Sequence, residues 1–347
     1  MVSTTKTVQE NTYRIACNHI PFTSKNIKLI SNDIVKAASI LKNSRIIGLP
    51  TETVYGLAGN IYSEHAIRHI FEIKKRPFFN PIIVHIKSLT FLSKVARDIP
   101  KEAIKLAETF WPGPLTLLLN KQSSIPDLIT GGKSTVAVRV PNHPVALSIL
   151  NLLDFPLAAP SANPFGSISP TCAEHVDGYF KEELEMILDG GVCKSGIEST
   201  IIGFQNQKPV LYRHGAIPLN MIEMVIGKTT IATKNNHPPQ APGMLSKHYA
   251  PSTNTVLTSD AKTIISIHVN KKIGLLLFKS EINQAGIYRQ EVLSKTGNLQ
   301  EAASNLYAAL HRLDKANLDI IIVERVPETG LGNSINDRLE RAATKAC

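Results

Sequence analysis

The sequence predicts an α/β protein: a large twisted mixed sheet followed by a small Rossmann-like unit at the C-terminal end. Short apolar runs such as RIIGLP (45–50), IIVHI (82–86), PLTLLL (114–119) and VAVRVP (136–141) alternate with helical patterns. Several are apolar at successive positions, as in a sheet covered on both faces. The texture then breaks near residue 228 and resumes as a second α/β pattern from Thr255. A chain of 347 residues suits two domains of about 100–200 residues each.

In chain order, residues 1–24 are polar, with no apolar run before a small-residue cleavage site, and read as a tail. SNDIVKAASILK (31–42) places Ile34, Ala37, Ala38 and Leu41 at helical spacing behind Asn32 or Asp33 as N-cap. Ser63 opens a helix running to about Lys75, with Ile67, Ile70, Phe71 and Lys74 on one side. Two helical stretches occupy 88–110, FPLAAP (155–160) is a further strand, and a helix lies near 171–181. EMILDGG (185–191), ESTIIGF (198–204) and VLYRHG (210–215) complete a first domain over 25–227. The proline- and asparagine-rich stretch at 228–254 lacks periodicity and is longer than most internal loops, which suggests a linker or lid. Over 255–347 the strands KIGLLLF (272–278) and DIIIVERV (319–326) flank an amphipathic helix with Leu299, Ala302, Ala303, Leu306, Leu310 and Leu313 on its apolar side. NSINDRLERAAT (333–344) is the last helix.

Hydrophobic residues make up 43% and charged residues 19%, which excludes a disordered or fibrous chain. No run approaches the roughly 18 apolar residues that a membrane helix needs, and a cytoplasmic location is expected. Four scattered cysteines (Cys17, Cys172, Cys193, Cys347) read as reduced thiols, without zinc-ligand spacing. The formal charge of +10 favours anionic partners. It concentrates in 64–105, where nine lysines and arginines face four acidic residues. A charge run is most often a solvated face, so this locates an anion site without defining one.

Several motifs fail on context. GGKST (131–135) resembles the end of a phosphate-binding P-loop, but Asp127 stands where the first glycine is required and a strand follows instead of a helix. His65 and His69 could share a metal, yet no HExxH frame accompanies them, so a surface pair is the simpler reading. GLGNS (330–334) precedes a helix but lacks dinucleotide-binding spacing, and a tight turn explains it. What remains is a series of polar segments at strand ends: PTETVYGL (50–57), KKRPFFNPIIVH (74–85), RVPNHP (139–144), APSANPFGSISPT (159–171), GIESTI (196–201) and YRHGAI (212–217). Hydroxyls, arginines and amides are costly to bury without partners. An anionic ligand with many hydrogen-bonding groups would supply those partners.

In this order the segments resemble the YrdC-type threonylcarbamoyl-AMP synthases in their long two-domain form. The resemblance covers nearly the whole chain after the tail, and APGMLSKHYAP with GLGNSINDRLERAA matches the long form. It implies synthesis of L-threonylcarbamoyl-AMP and pyrophosphate from L-threonine, bicarbonate and ATP. It also implies Mg²⁺ arriving with the ATP phosphates and a separate transferase that uses the product for the t⁶A modification of tRNA. By resemblance, Lys74 and Arg76 sit on the triphosphate, Asn80 holds the nucleotide and Arg213 reaches it from across the cleft. Thr135, Ser161, Asn163 and Ser169 donate to phosphate or ribose oxygens, and Tyr249 closes over the nucleotide. Thr53, His85, Arg139, the backbone of Ala159 and Ser199 hold threonine, with Arg139 the natural carboxylate or bicarbonate clamp. Lys74, Arg76 and Arg139 are the expected catalytic groups, because positioning and charge stabilisation dominate nucleotidyl transfer. No protein metal site is expected. The rival readings are a basic concave RNA-binding module, with at most weak tRNA contact by the enzyme, an inert regulatory domain, and carbamoyl transfer as in hydrogenase maturation. The first lacks an aromatic stacking series, the second leaves the polar motifs idle, and the third lacks its companion domains.

Overall fold

The computed structural model describes residues 29–232, 240–244 and 248–343. The tail expected over 1–24, with Cys17 and Cys347, falls outside the described residues. The chain begins with β1 (Ile30–Ser31), α1 (Ile34–Lys42), β2 (Ile47–Leu49), β3 (Gly56–Asn60), α2 (Glu64–Lys74) and β4 (Ile83–His85). A 3-10 stretch at Leu89–Lys94 leads to α3 (Lys101–Phe110), β5 (Leu115–Asn120), α4 (Asp127–Thr130), β6 (Thr135–Arg139) and α5 (Pro144–Leu152). Next come β7 (Leu157–Ala158), α6 (Ala173–Phe180), β8 (Ile187–Leu188), β9 (Thr200–Gln205), β10 (Lys208–Arg213), α7 (Leu219–Ile226) and β11 (Thr230–Ile231). The C-terminal part holds β12 (Thr255–Thr258), α8 (Ala261–Ile267), β13 (Ile273–Leu277), β14 (Ile287–Val292), α9 (Leu299–Asp314), β15 (Ile320–Glu324) and α10 (Gly332–Ala342).

Local sequence explains the helix starts. Asp33 accepts a 2.9 Å hydrogen bond from the Lys36 amide, and Ser63 a 3.2 Å bond from the Ala66 amide, each satisfying an orphan donor of the first turn. Helix α2 ends where Lys75 turns left-handed at φ 52°, and Pro81 then carries the chain into β4.

The first eleven strands form one mixed sheet in the order β1-β8-β2-β3-β7-β4-β6-β5-β9-β10-β11. Its last strand, β11, lies in the segment read from sequence as the start of the linker. The central strands are buried on both faces, as their apolar runs require. Val84, Leu117, Val138 and Ile202 belong to the main core under α2, α3 and α7, while Ile83, Leu118, Ala137 and Ile201 face the other way with Ala241. The C-terminal strands form a four-stranded parallel sheet in the order β12-β15-β13-β14. One face packs on α8, and the other packs on α9 and α10 in a core that also takes in Val54, Ile168, Ile197 and Tyr249 of the preceding segments. The two parts therefore share a hydrophobic seam. No helix among the described residues is long and apolar enough to cross a membrane.

Two glycines set this packing. A Cβ on Gly332 would lie 1.8 Å from the Pro327 carbonyl oxygen, so the GLGNS turn is a close backbone approach. Gly196 has φ +68°, and a Cβ there would sit 2.5 Å from the Ser304 Cα on α9. Gly196→Ala therefore combines backbone strain with a clash at the seam and should cost about 2–4 kcal/mol. Chemical denaturation measures this, and a loss below about 0.5 kcal/mol, the scale of an ordinary surface substitution, would contradict the seam.

Candidate active site

The sheet brings the polar segments together on one face. Residues i and i+2 of a strand share a side, so Ile83 and His85 of β4 both face the same cavity. Parallel pairing of β4 with β6 sets His85 opposite Arg139. Antiparallel pairing of β4 with β7 brings the Ala159 amide to the Ile83 carbonyl at 3.1 Å. The walls are completed by Thr51, Thr53, Arg76, Ser161, Glu198, Ser199 and Arg213, and by Pro242, Gly243, His248 and Tyr249 from the 228–254 segment.

Arg139 is almost fully buried and is held from three sides. Its Nε donates to the Gly113 carbonyl (3.1 Å) and Nη1 donates to the Thr53 hydroxyl (2.9 Å). Nη2 lies 2.6 Å from a Glu52 carboxylate oxygen. That contact has the distance of an ion pair without the alignment of a hydrogen bond, so both groups keep unused polar capacity. Burial first, then Arg139, drives His85 down to about 3, and its Nδ1 has no hydrogen-bond partner among the described residues. His85 is thus a neutral imidazole beside a fixed cation.

A second cationic group lies across the cavity. Arg76 donates from Nε to the Asn80 carbonyl (3.2 Å) and from Nη2 to the Pro81 carbonyl (2.7 Å). Arg213 donates from Nε and Nη2 to the Ser199 carbonyl (3.1 and 2.9 Å), from Nη2 to the Ser199 hydroxyl (3.1 Å) and from Nη1 to the Pro242 carbonyl (3.2 Å). Burial lowers both guanidinium pKa values, that of Arg76 to about 10, so both remain cations at neutral pH. Tyr249 is fully buried with φ 64°, and burial raises its phenol. The segment around it is tied down by the bond from the Ala250 amide to the Gly166 carbonyl (2.8 Å) and by that from the His248 amide to the Arg341 carbonyl (3.2 Å).

Of the residues expected from sequence, Thr53, Arg76, His85, Arg139, Ala159, Ser161, Ser199, Arg213 and Tyr249 line this cavity. Lys74, Asn80, Thr135, Asn163 and Ser169 do not. Lys74 is buried at the end of α2 and donates Nζ to the carbonyls of Ser161 (2.6 Å) and Asn163, so it fixes the segment that carries Ser161. Burial, then Arg76, pulls its ammonium well below the usual lysine range. Asn163 donates its amide to the Pro164 and Ser167 carbonyls (both 2.9 Å), leaving Oδ1 without a partner among the described residues. Asn80 is buried with neither amide atom partnered among the described residues, which marks a place for a hydrogen-bonding ligand. Thr135 is half-buried at the start of β6, opposite Asn120. Ser169 donates to Glu198 at 2.6 Å, at the seam between the domains.

Sequence reasoning assigned no role to Glu52, Glu198, Arg338 or Tyr307. Glu198 accepts from Ser169, from the Tyr307 hydroxyl (3.1 and 3.0 Å) and from Arg338 Nε (2.7 Å). A signal for Arg338 existed: it shares the apolar face of α10 with Ile335, Leu339 and Ala342.

Three buried histidines and the half-buried His175 give the fold a pH dependence. Burial is the largest cause in each: His85, His248 and His311 fall to about 3 and His175 to about 4. His175 and His311 stack at 3.8 Å across the seam. An unfolded histidine titrates near 6.5. Below that pH the unfolded chain binds protons that the folded chain refuses, so stability is complete above pH 6.5 and falls as pH drops toward 4. Thermal melts should show Tm decreasing through this window, less steeply in His311→Gln. A Tm unchanged from pH 7 to pH 5 would contradict the burial of these rings.

Comparison with known proteins agrees with this architecture. The family profile Sua5/YciO/YrdC, described as "Telomere recombination", matches residues 39–215. The profile described as "Threonylcarbamoyl-AMP synthase, C-terminal domain" matches 217–344. A threonylcarbamoyl-AMP synthase of Pyrococcus abyssi is 42% identical over 88% of this chain and 93% of its own length. One of Bacillus subtilis is 37% identical over 91% and 95%. The crystal structure of P. abyssi Sua5 complexed with L-threonine superposes with a TM-score of 0.83 at 41% identity, covering 89% of this chain and 94% of that one. The chain belongs to the Sua5/YciO/YrdC family, in the two-domain form that carries the threonylcarbamoyl-AMP synthase C-terminal domain.

Proposed function

We propose that this chain is a threonylcarbamoyl-AMP synthase that joins L-threonine, bicarbonate and ATP and releases pyrophosphate. The observation that carries the reading is the pairing of two cationic groups in one buried cavity: Arg139 with Thr53 and His85 on the sheet floor, Arg76 and Arg213 on the walls. Three anions must meet in this reaction, the threonine carboxylate, the carbamate and the triphosphate. Arginine forks are suited to carboxylates and phosphates. Threonine in the related P. abyssi structure supports the amino-acid half.

In this reading the threonine amine attacks the bicarbonate carbon, water leaves, and a carbamate remains. A carbamate oxygen attacks the α-phosphorus of ATP, and the bond to the β-phosphate bridging oxygen breaks. Arg139 holds the carboxylate or carbamate, while Thr53, Ser199 and the Ala159 backbone orient threonine. The neutral His85 accepts or donates one hydrogen bond without adding charge. Arg76 and Arg213 offset the charge that grows on the departing pyrophosphate. Ser161 holds the nucleotide from the wall, Asn80 and Asn163 reach it from just behind that wall with their unpartnered amide atoms, and Tyr249 closes the cavity against water. Thr135 and Ser169 would have to reach the nucleotide from outside the present wall. Mg²⁺ fits as a companion of the triphosphate, because the side chains lining the cavity are mainly cations, hydroxyls and apolar groups, with Glu198 fully engaged. Among the described residues no group of three or more His, Cys, Asp or Glu could hold an ion. The product would pass to a separate tRNA threonylcarbamoyl transferase in the cytoplasm, with at most weak direct contact to tRNA.

The test is isotopic. Incubation with ¹³C-bicarbonate, ATP, Mg²⁺ and threonine should yield an adenylate that carries the label, seen by mass spectrometry. An unlabelled product, or AMP alone, would overturn the reading.

A further inference from the structure

A carboxylate in a cavity built for anions needs an explanation. Glu198 lines the cavity and is buried, yet both of its oxygens are occupied. Oε1 accepts from Ser169 and Tyr307, and Oε2 accepts from Tyr307 and Arg338. Burial alone would raise its pKa, but Arg338, then Arg213, hold it below the usual carboxylate range. Glu198 is therefore ionised, and three donors, Ser169, Tyr307 and Arg338, share its two oxygens, which ties the carboxylate to the seam.

Its position bears on Arg213. Glu198 directly precedes Ser199, whose carbonyl and hydroxyl accept from the Arg213 guanidinium. Arg338 is 1% exposed and reaches this place from α10 of the other domain. Its Nε meets Glu198 at 2.7 Å, Nη2 meets the carbonyl of His214, next to Arg213, at 2.7 Å, and Nη1 meets Asp337 at 2.6 Å. Its guanidinium also lies 5.0 Å from the centroid of the Tyr249 ring. The C-terminal domain thus supplies the countercharge to a cavity carboxylate.

We infer that Arg338 is a positioning residue of the catalytic cavity: by neutralising Glu198 from the C-terminal domain it leaves the Arg213 guanidinium, which Glu198 would otherwise capture, for the anionic substrate. The inference rests on the synthase reading for the identity of that substrate. It also gives the second domain a role in the chemistry of the first. A buried ion pair that loses one partner leaves the other charge to the remaining cations around it, and after Arg338 the cation that acts most strongly on Glu198 is Arg213.

The experiment compares wild type, Arg338→Met, Arg338→Lys and the double variant Glu198→Gln/Arg338→Met. ATP affinity is read by calorimetry, pyrophosphate release is measured in parallel, and thermal melts confirm folding. Arg338→Met should weaken ATP binding by about tenfold or more, and the double variant should recover to within about threefold of wild type, because a neutral amide at position 198 no longer captures Arg213. Arg338→Lys, which keeps the charge, should lie closer to wild type than Arg338→Met. A purely structural role predicts that ATP affinity simply follows the folded fraction seen in the melts, so loss of affinity in a fully folded Arg338→Met carries the inference, while a double variant as weak as Arg338→Met overturns it, as does an unchanged Arg338→Met. Where Arg338→Met does not fold, the double variant, which removes both charges, decides alone by the same threefold or tenfold outcome. ATP affinity is read without turnover, so a wild type that binds ATP but releases no threonine-dependent pyrophosphate overturns the synthase reading and leaves the Arg338 result standing.

Discussion

Arg139→Ala lowers threonine-dependent pyrophosphate release by about a thousandfold or more, because it removes the fixed cation on the cavity floor where carboxylate and carbamate must be held. It also strands Glu52, whose carboxylate stands 2.6 Å from Arg139 Nη2 with 8% side-chain exposure. Breaking a buried pair in this way costs about 3–5 kcal/mol. The variant should be both inactive and less stable. Adding Glu52→Gln removes the stranded charge and should restore much of the stability measured by denaturant unfolding, with activity still absent. Recovery of activity in the double variant would mean that Arg139 serves the fold and not the substrate.

Lys74→Met should show the opposite balance of effects on the two substrates. An ammonium has three N–H donors, and the Ser161 and Asn163 carbonyls take two. Leaving these two buried acceptors unpaired costs about 2–4 kcal/mol of stability. The 159–171 segment loosens with it. The KM for ATP should rise about tenfold or more, with the KM for threonine nearly unchanged, since Arg139 and His85 stand on separate strands. Steady-state kinetics in both substrates checks this. A larger rise in the threonine KM would mean that the segment Lys74 holds serves the threonine half of the cavity.

Much of this architecture is legible in the residues. Ser63 as N-cap and the apolar side of α2 follow from spacing, including the anomalous Lys74 beside Ile67, Ile70 and Phe71, all of which are buried. The doubly apolar strands point to the large covered sheet, because burial on both faces removes the alternation that a half-exposed strand shows. The polar segments converge on one cavity for the reason given by their composition: grouped arginines, amides and hydroxyls at strand ends call for a common partner.

Other features are hidden for physical reasons. Strand β3, GLAGN, gives no strand signal in the sequence, because Gly56 and Gly59 have low strand propensity. In the fold a Cβ on Gly56 would sit 3.1 Å from the Ala159 Cβ, and one on Gly59 3.1 Å from Ile70 Cδ1, so close packing selects glycine there. Helix α5, PVALSILNL, is apolar at most positions and shows little periodicity to find. Strand β14, IYRQEV, sits at a sheet edge and is largely polar. Glu198 and Arg338 are 140 positions apart. Each lies inside a motif, but only the fold shows that the two motifs complete each other.

The central claim is that this cavity joins threonine, bicarbonate and ATP, and pyrophosphate release by the purified protein tests it most directly. The account predicts release that requires both threonine and bicarbonate, with threonine preferred over serine and valine. Release that persists without threonine, or no release with all three substrates and Mg²⁺ present, would contradict it.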